Sequence, residues 1–130
     1  MKTVLIADDE PSMRMMVSAT FAAFECDMLE AADGDEAWRL LVEHHPAVAL
    51  LDVQMPGRTG LELTRAIRST PALAATTVIL LTAKRQAADI QAGLLAGADM
   101  YLTKPFSPLE LLTVVEQAMD GLPSQASAQP

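Results

Sequence analysis

Residues 4–7, 48–51 and 78–81 are unbroken apolar runs of Val, Leu, Ile and Ala. A strand that covers a core on one face alternates apolar and polar positions. Short continuous runs instead mark central parallel strands covered on both faces. Residues 28–31 and 100–103 mix apolar and polar positions and read as edge strands.

Between the runs the apolar period lengthens to that of a helix. Pro11 and Ser12 open the first helix, and Met13, Met16, Val17, Thr20, Phe21 and Phe24 follow at helical spacing. Asp33-Gly34-Asp35 starts a second, which runs to about Glu43 with Pro46 beyond it. It carries Trp38, expected to be partly buried, and ends in His44 and His45, to which no ligand role is given. A third follows Gly60, carries Leu61, Leu63 and Ile67, and stops at Thr70-Pro71. Residues from about Gln86 to Ala96 predict a fourth, closed by Gly97 as its C-cap. Ser107-Pro108 caps a fifth, with Leu111, Leu112, Val115 and Met119 on its inner face. Strand and helix alternate five times, so the fold class is α/β, a (βα)₅ unit. A parallel sheet, right-handed crossovers and helices on both faces follow. Residues 121–130 hold Pro, Ser, Gln and Ala and read as a flexible tail or the start of a linker.

The chain of 130 residues fits one domain, and 51% hydrophobic residues suffice for one core. A net charge of −8 disfavours direct nucleic-acid binding, which rests on Lys and Arg contacts to phosphate. Cys26 is the sole cysteine, so no internal disulfide forms; it reads as a small core residue. The longest apolar runs are four or five residues, far short of a membrane span. A cytoplasmic location with no membrane contact is expected.

The polar residues that follow the strands carry the candidate chemistry. Asp8, Asp9 and Glu10 follow the first strand, Asp52 the third, Thr82 the fourth and Lys104 the fifth. All fall at the carboxyl ends of parallel strands, where open α/β sheets place their sites. Three carboxylates in one crevice repel one another unless a cation relieves them. Mg²⁺ suits such a site, since it takes one or two carboxylates and accepts a phosphate oxygen. A carboxylate can also attack phosphorus to give an acyl phosphate. Lys104 supplies a point charge for phosphate and Thr82 a hydroxyl donor.

Four segments carry a family resemblance: Leu5-Ile6-Ala7-Asp8-Asp9-Glu10, Leu50-Leu51-Asp52-Val53-Gln54-Met55-Pro56-Gly57, Leu81-Thr82-Ala83, and Tyr101-Leu102-Thr103-Lys104-Pro105-Phe106. Together with Gly97-Ala98-Asp99 they resemble the signature of response-regulator receiver domains of two-component signalling, over residues 1–120. The resemblance implies a flavodoxin-like, doubly wound sheet in strand order 2-1-3-4-5. It implies Asp52 as phospho-acceptor, with Mg²⁺ (or Mn²⁺) held by Asp9, Asp52, the Gln54 backbone carbonyl and, more through water, Asp8. Thr82, Lys104 and the backbone N–H of Ala83 would bind phosphoryl oxygens, and Tyr101 would swing inward as Thr82 moves. Lys104-Pro105 would be a cis bond. The side chains of Gln54 and Lys84 would tune hydrolysis. The implied donor is a sensor histidine kinase or histidine phosphotransfer protein. The implied output is an effector domain or protein, with a possible homodimer through the fourth helix, fifth strand and fifth helix.

Each residue alone has a plainer reading. Asp8 and Asp9 suit a helix N-terminus, Thr82 a strand end and Lys104 the surface. Tyr101 as an edge-strand aromatic is unremarkable. Three other functions compete. A phosphatase of the haloacid-dehalogenase kind would need a second Asp two residues after its first-strand nucleophile, where this chain has adjacent Asp8-Asp9. A flavodoxin-like cofactor carrier would have to place a phosphate against Asp8, Asp9 and Glu10. A receiver-like binding module that works without phosphorylation also stays open.

Overall fold

The computed structural model describes residues 2–24, 26–83 and 87–120, with the backbone alone at 87–89, 119 and 120. Its elements alternate as the pattern predicts: β1 (Lys2–Ala7), α1 (Pro11–Phe21), β2 (Cys26–Ala31), α2 (Gly34–His44), β3 (Val48–Asp52), α3 (Gly60–Ser69), β4 (Thr77–Thr82), α4 (Ala87–Ala96), β5 (Met100–Thr103) and α5 (Pro108–Asp120). A one-turn 3₁₀ helix, Pro71–Leu73, follows α3. The five strands are parallel in the order β2-β1-β3-β4-β5. The mixed segments are the two edges and the unbroken runs the centre.

Because successive side chains of a strand point to opposite faces, each central strand feeds two cores. Leu5, Leu51 and Leu80 join Leu41, Leu63 and Ile67 beneath α2 and α3. Ile6, Leu50 and Leu81 join Val17, Phe21 and Leu111 beneath α1 and α5. β3 is buried at every position and ends in Asp52.

Helix ends follow local chemistry. Asp33 caps α2 by accepting from the Glu36 N–H at 2.8 Å. Ser107 and Glu110 form reciprocal side-chain-to-backbone bonds at the start of α5. Gly97 adopts φ +111 after α4, and its N–H donates to the Leu94 carbonyl.

Two readings need correction. Phe24 lies beyond the end of α1 and is half exposed, because the chain bends after Phe21 to enter β2. Gly60 is the first residue of α3 rather than its leader; Thr59 is the cap, in a capping box with Glu62. Cys26 is partly buried at the start of β2, and Trp38 is partly buried against the α2 core. Lys84, Gln86 and residues 121–130 lie outside the described residues, as does the side chain of Met119. No helix among the described residues is long and apolar enough to cross a membrane.

Candidate functional site

β1, β3, β4 and β5 all run the same way, so their carboxyl ends deliver side chains to one place. Glu10, Asp52, Gln54, Thr82, Ala83 and Lys104 line a cavity of about 200 Å³ there. Beside it Asp8, paired with Lys104, is fully buried, whereas Asp9 is exposed. One carboxylate oxygen each from Asp8, Asp9 and Asp52 lie within 4.8 Å of one another. This acidic cluster could hold a metal ion.

Lys104 organises the charge. Its Nζ lies 2.7 Å from Asp8 Oδ2, 3.3 Å from Asp52 Oδ2 and 3.8 Å from Glu10 Oε1. Burial alone would lower its pKa, but the hydrogen bond to Asp8 and the charges of Asp52 and Asp8 outweigh that and hold it above the usual lysine value. Asp8 is also satisfied on its other oxygen, which accepts the Glu10 N–H at 2.9 Å. Arg14 donates to the Asp8 carbonyl at 2.7 Å, tying α1 to the end of β1.

Asp52 is less well served. Among the described residues, its Oδ1 accepts only a long bond, from the Gln54 N–H at 3.3 Å. Burial first and the Asp8 charge second push its carboxyl up to about 6, against the opposing pull of Lys104 and the Gln54 N–H. A carboxylate raised by burial and then by the Asp8 charge fits a site that takes a hard cation, because a divalent ion relieves what one ammonium does not. The donor set, three carboxylates, fits a hard cation rather than a soft metal.

Thr82 is buried at the end of β4, and its carbonyl accepts the Lys104 N–H at 2.8 Å. The Lys104–Pro105 bond that follows is cis. Tyr101 stands apart from the cavity, with 38% of its surface exposed. It borders a groove of about 540 Å³ with Ile90, Met100, Pro105 and Glu110. It also borders a void of about 10 Å³ shared with Thr82, Ile90, Gly93 and Leu94.

Asp8, Asp9, Asp52, Gln54, Thr82, Ala83 and Lys104 thus meet in one place, with Tyr101 one void away. Lys84 is outside the described residues. Two features have little or no signal in the sequence. Glu10 borders the cavity, although only its place in the Asp-Asp-Glu run hints at this. The pairing of Lys104 with Asp8 joins residues 96 positions apart and leaves no local signal.

The family model for the response regulator receiver domain matches residues 4–116. The phosphate regulon transcriptional regulatory protein PhoB of Pseudomonas aeruginosa is 41% identical over 113 residues, 85% of this chain and 48% of that protein. Protein PilG of the same organism is 33% identical over 113 residues, covering 87% of this chain and 84% of that one. The crystallised chemotaxis response regulator CheY4 of Vibrio cholerae superposes with a TM-score of 0.86 at 35% identity, over 91% of this chain and 98% of that chain. The chain spans about half the length of several curated relatives it matches, 48% for PhoB and 46% for the response regulator GtcR of Aneurinibacillus migulanus.

Proposed function

The chain belongs to the response regulator receiver family, and from that premise we propose that it is a phosphorylation switch whose acceptor is Asp52. The observation that carries this reading is the position of Asp52. It is buried beside Lys104 at 3.3 Å, faces the same cavity as Thr82, and shares an acidic cluster with Asp8 and Asp9.

In the proposed reaction an Asp52 carboxylate oxygen attacks the phosphorus of a phosphohistidine. The O–P bond forms as the N–P bond breaks, and the imidazole leaves with its electron pair. The donor would be a sensor histidine kinase or a histidine phosphotransfer protein. Mg²⁺, or Mn²⁺ in its place, would be held by Asp9, Asp52 and the Gln54 carbonyl, and would neutralise phosphoryl charge. Asp8 has both oxygens engaged by Lys104 and the Glu10 N–H, which supports a role through water. Lys104, the Thr82 hydroxyl and the Ala83 N–H would take phosphoryl oxygens. Water would later hydrolyse the acyl phosphate in the same site, so the domain would catalyse both its phosphorylation and its dephosphorylation. It is a signalling domain rather than a turnover enzyme.

The output would follow from Thr82. The void between Thr82 and Tyr101, about 10 Å³, is far too small for a phenol ring. Tyr101 can enter only if Thr82 and α4 give way, which couples phosphorylation to the α4-β5-α5 face as a population shift. That face would meet an effector domain or protein, or a second copy of the chain. The charge of −8 speaks against direct nucleic-acid contact by this domain, and a cytoplasmic setting suits a kinase partner.

Incubation with acetyl phosphate, with and without Mg²⁺, followed by intact mass tests the reading. The expected result is a gain of one phosphoryl group that needs both Mg²⁺ and Asp52, absent in Asp52→Asn. No gain under any condition would leave a phosphorylation-independent binding module on the same fold.

A further inference from the structure

The densest side-chain hydrogen-bonding node among the described residues lies at the end of the sheet opposite the phosphoryl cavity. Arg68, in the last turn of α3, donates from Nε to the Gly97 carbonyl at 2.8 Å. Its Nη1 donates to the Ala74 and Thr76 carbonyls at 3.0 and 2.7 Å. Its Nη2 meets Asp99 Oδ2 at 2.8 Å, and that oxygen also accepts the Val78 N–H at 2.8 Å. One planar guanidinium therefore ties α3, the entry to β4 and the α4–β5 turn together. Its stem packs on Gly97 so closely that a Cβ there would come 2.6 Å from Arg68 Cγ.

The described side chains of α4 are held lightly. Between Ile90 and Ala96 only Gly93 is buried, while Leu94 and Leu95 are 45% and 79% exposed. At Gly93 the helix lies close on β4, where an added Cβ would approach Leu80 Cδ1 to 2.6 Å. A helix with little apolar burial and one fixed end opens from the other end.

We propose that Arg68 is a positioning residue that pins the C-terminal end of α4, so that α4 moves by pivoting about Gly97 rather than by sliding as a whole. The pivot is a property of the resting protein. Its use in signalling rests on the phosphorylation reading above: a displacement at Thr82 becomes a swing of α4 over Tyr101, while residues 97–99 stay in place.

Native-state amide exchange on the full chain tests this. In the resting protein, Gln91 and Ala92 are expected to exchange through an opening at least tenfold more frequent than the one that releases Asp99 and Val78. Arg68→Gln, which keeps a donor but loses the fork, is expected to raise exchange at Asp99 and Val78 about tenfold and merge the two openings. Arg68→Lys should restore part of the difference. One shared opening for all four amides in the parent would overturn the pivot, and so would unchanged exchange in a folded Arg68→Gln. If Arg68→Gln does not fold, the parent's own pattern still decides. With acetyl phosphate and Mg²⁺ added, a gain in mass should change exchange at Gln91 and Ala92 and leave Asp99 unchanged. A failure to gain mass counts against the phosphorylation reading, while the resting pattern continues to decide the pivot.

Discussion

Lys104 Nζ donates to the fully buried carboxylate of Asp8 at 2.7 Å, a shorter contact than the 3.3 Å it makes to Asp52. The cation proposed for the phosphoryl group thus spends the resting state compensating the buried Asp8 carboxylate. Removing one partner of a buried pair leaves the other charge uncompensated.

Lys104→Met is therefore expected to destabilise the metal-free protein by about 2–4 kcal/mol, since the pair is buried and each carboxylate loses its main counter-charge. Millimolar Mg²⁺ should narrow the gap, because a cation held by Asp9 and Asp52, with Asp8 reached through water, would replace the missing charge. Urea unfolding in EDTA and in Mg²⁺ measures both. An equal loss in the two buffers would mean that the ammonium and the metal do not address the same carboxylates.

Asp52 gives a pH prediction of definite sign. Its carboxyl is raised from 3.8 to about 6 in the folded protein, so between those values the native state holds a proton that the unfolded chain has lost. Stability contributed by this group is present below about pH 4 and disappears as pH rises through about 6. In EDTA, Asp52→Asn should match the parent near pH 4 and be the more stable protein above pH 6. A tenfold change in proton affinity is worth about 1.4 kcal/mol, so the gain is at most about 3 kcal/mol. Unfolding free energies at several pH values check it. A parent that gains stability between pH 4 and 6 relative to the variant would contradict the sign.

The loop after Asp52 is seated on the start of α2. A Cβ at Gly34 would lie 1.8 Å from the Arg58 carbonyl oxygen, and the Gly34 N–H donates to the Pro56 carbonyl at 2.8 Å. Arg58 also stacks over Trp38 at 5.0 Å. Gly34→Ala gains at most about 1 kcal/mol of helix propensity. The overlap is with backbone, which no rotamer relieves, so the net loss is expected to be about 2–3 kcal/mol. The same displacement moves Gln54, and calorimetric titration should show Mg²⁺ binding weakened about tenfold. A variant as stable as the parent would show that the loop is not held there.

The central strands and the convergence of Asp8, Asp52, Thr82 and Lys104 were legible because both depend on short-range pattern. Unbroken apolar runs mark covered strands, and parallel strands place the residues after them at one edge. The end of α1 was not legible. Phe24 keeps helical spacing with Phe21, and the turn that removes it from the helix is imposed by the route into β2. The Thr59–Glu62 capping box is readable as Thr-x-x-Glu, but Gly60 beside it is an equally plain break in the pattern and masks it. Arg68 could not have been found from sequence. Three of its four acceptors are backbone carbonyls, and Gly97 and Asp99 lie about thirty positions away. Only the folded meeting of α3, the entry to β4 and the α4–β5 turn assembles them.

Gln54 supplies the last prediction. Its N–H bonds to Asp52, and its exposed side chain stands at the mouth of the cavity that Asp52 shares with Thr82. Attack by water on the proposed acyl phosphate would need access along that mouth, and an amide there would both shield the phosphorus and bind its oxygens. Truncation to Gln54→Ala keeps the backbone carbonyl proposed as a metal ligand, so phosphorylation by acetyl phosphate should reach the same mass gain. Loss of one hydrogen bond of about 0.5–1.5 kcal/mol corresponds to a decay roughly two- to tenfold faster. The lifetime is read by removing donor and following intact mass with time in Mg²⁺. Equal decay in parent and variant would place the shielding elsewhere in the cavity wall, and failure to form the phosphoprotein would mean that the side chain acts in transfer itself.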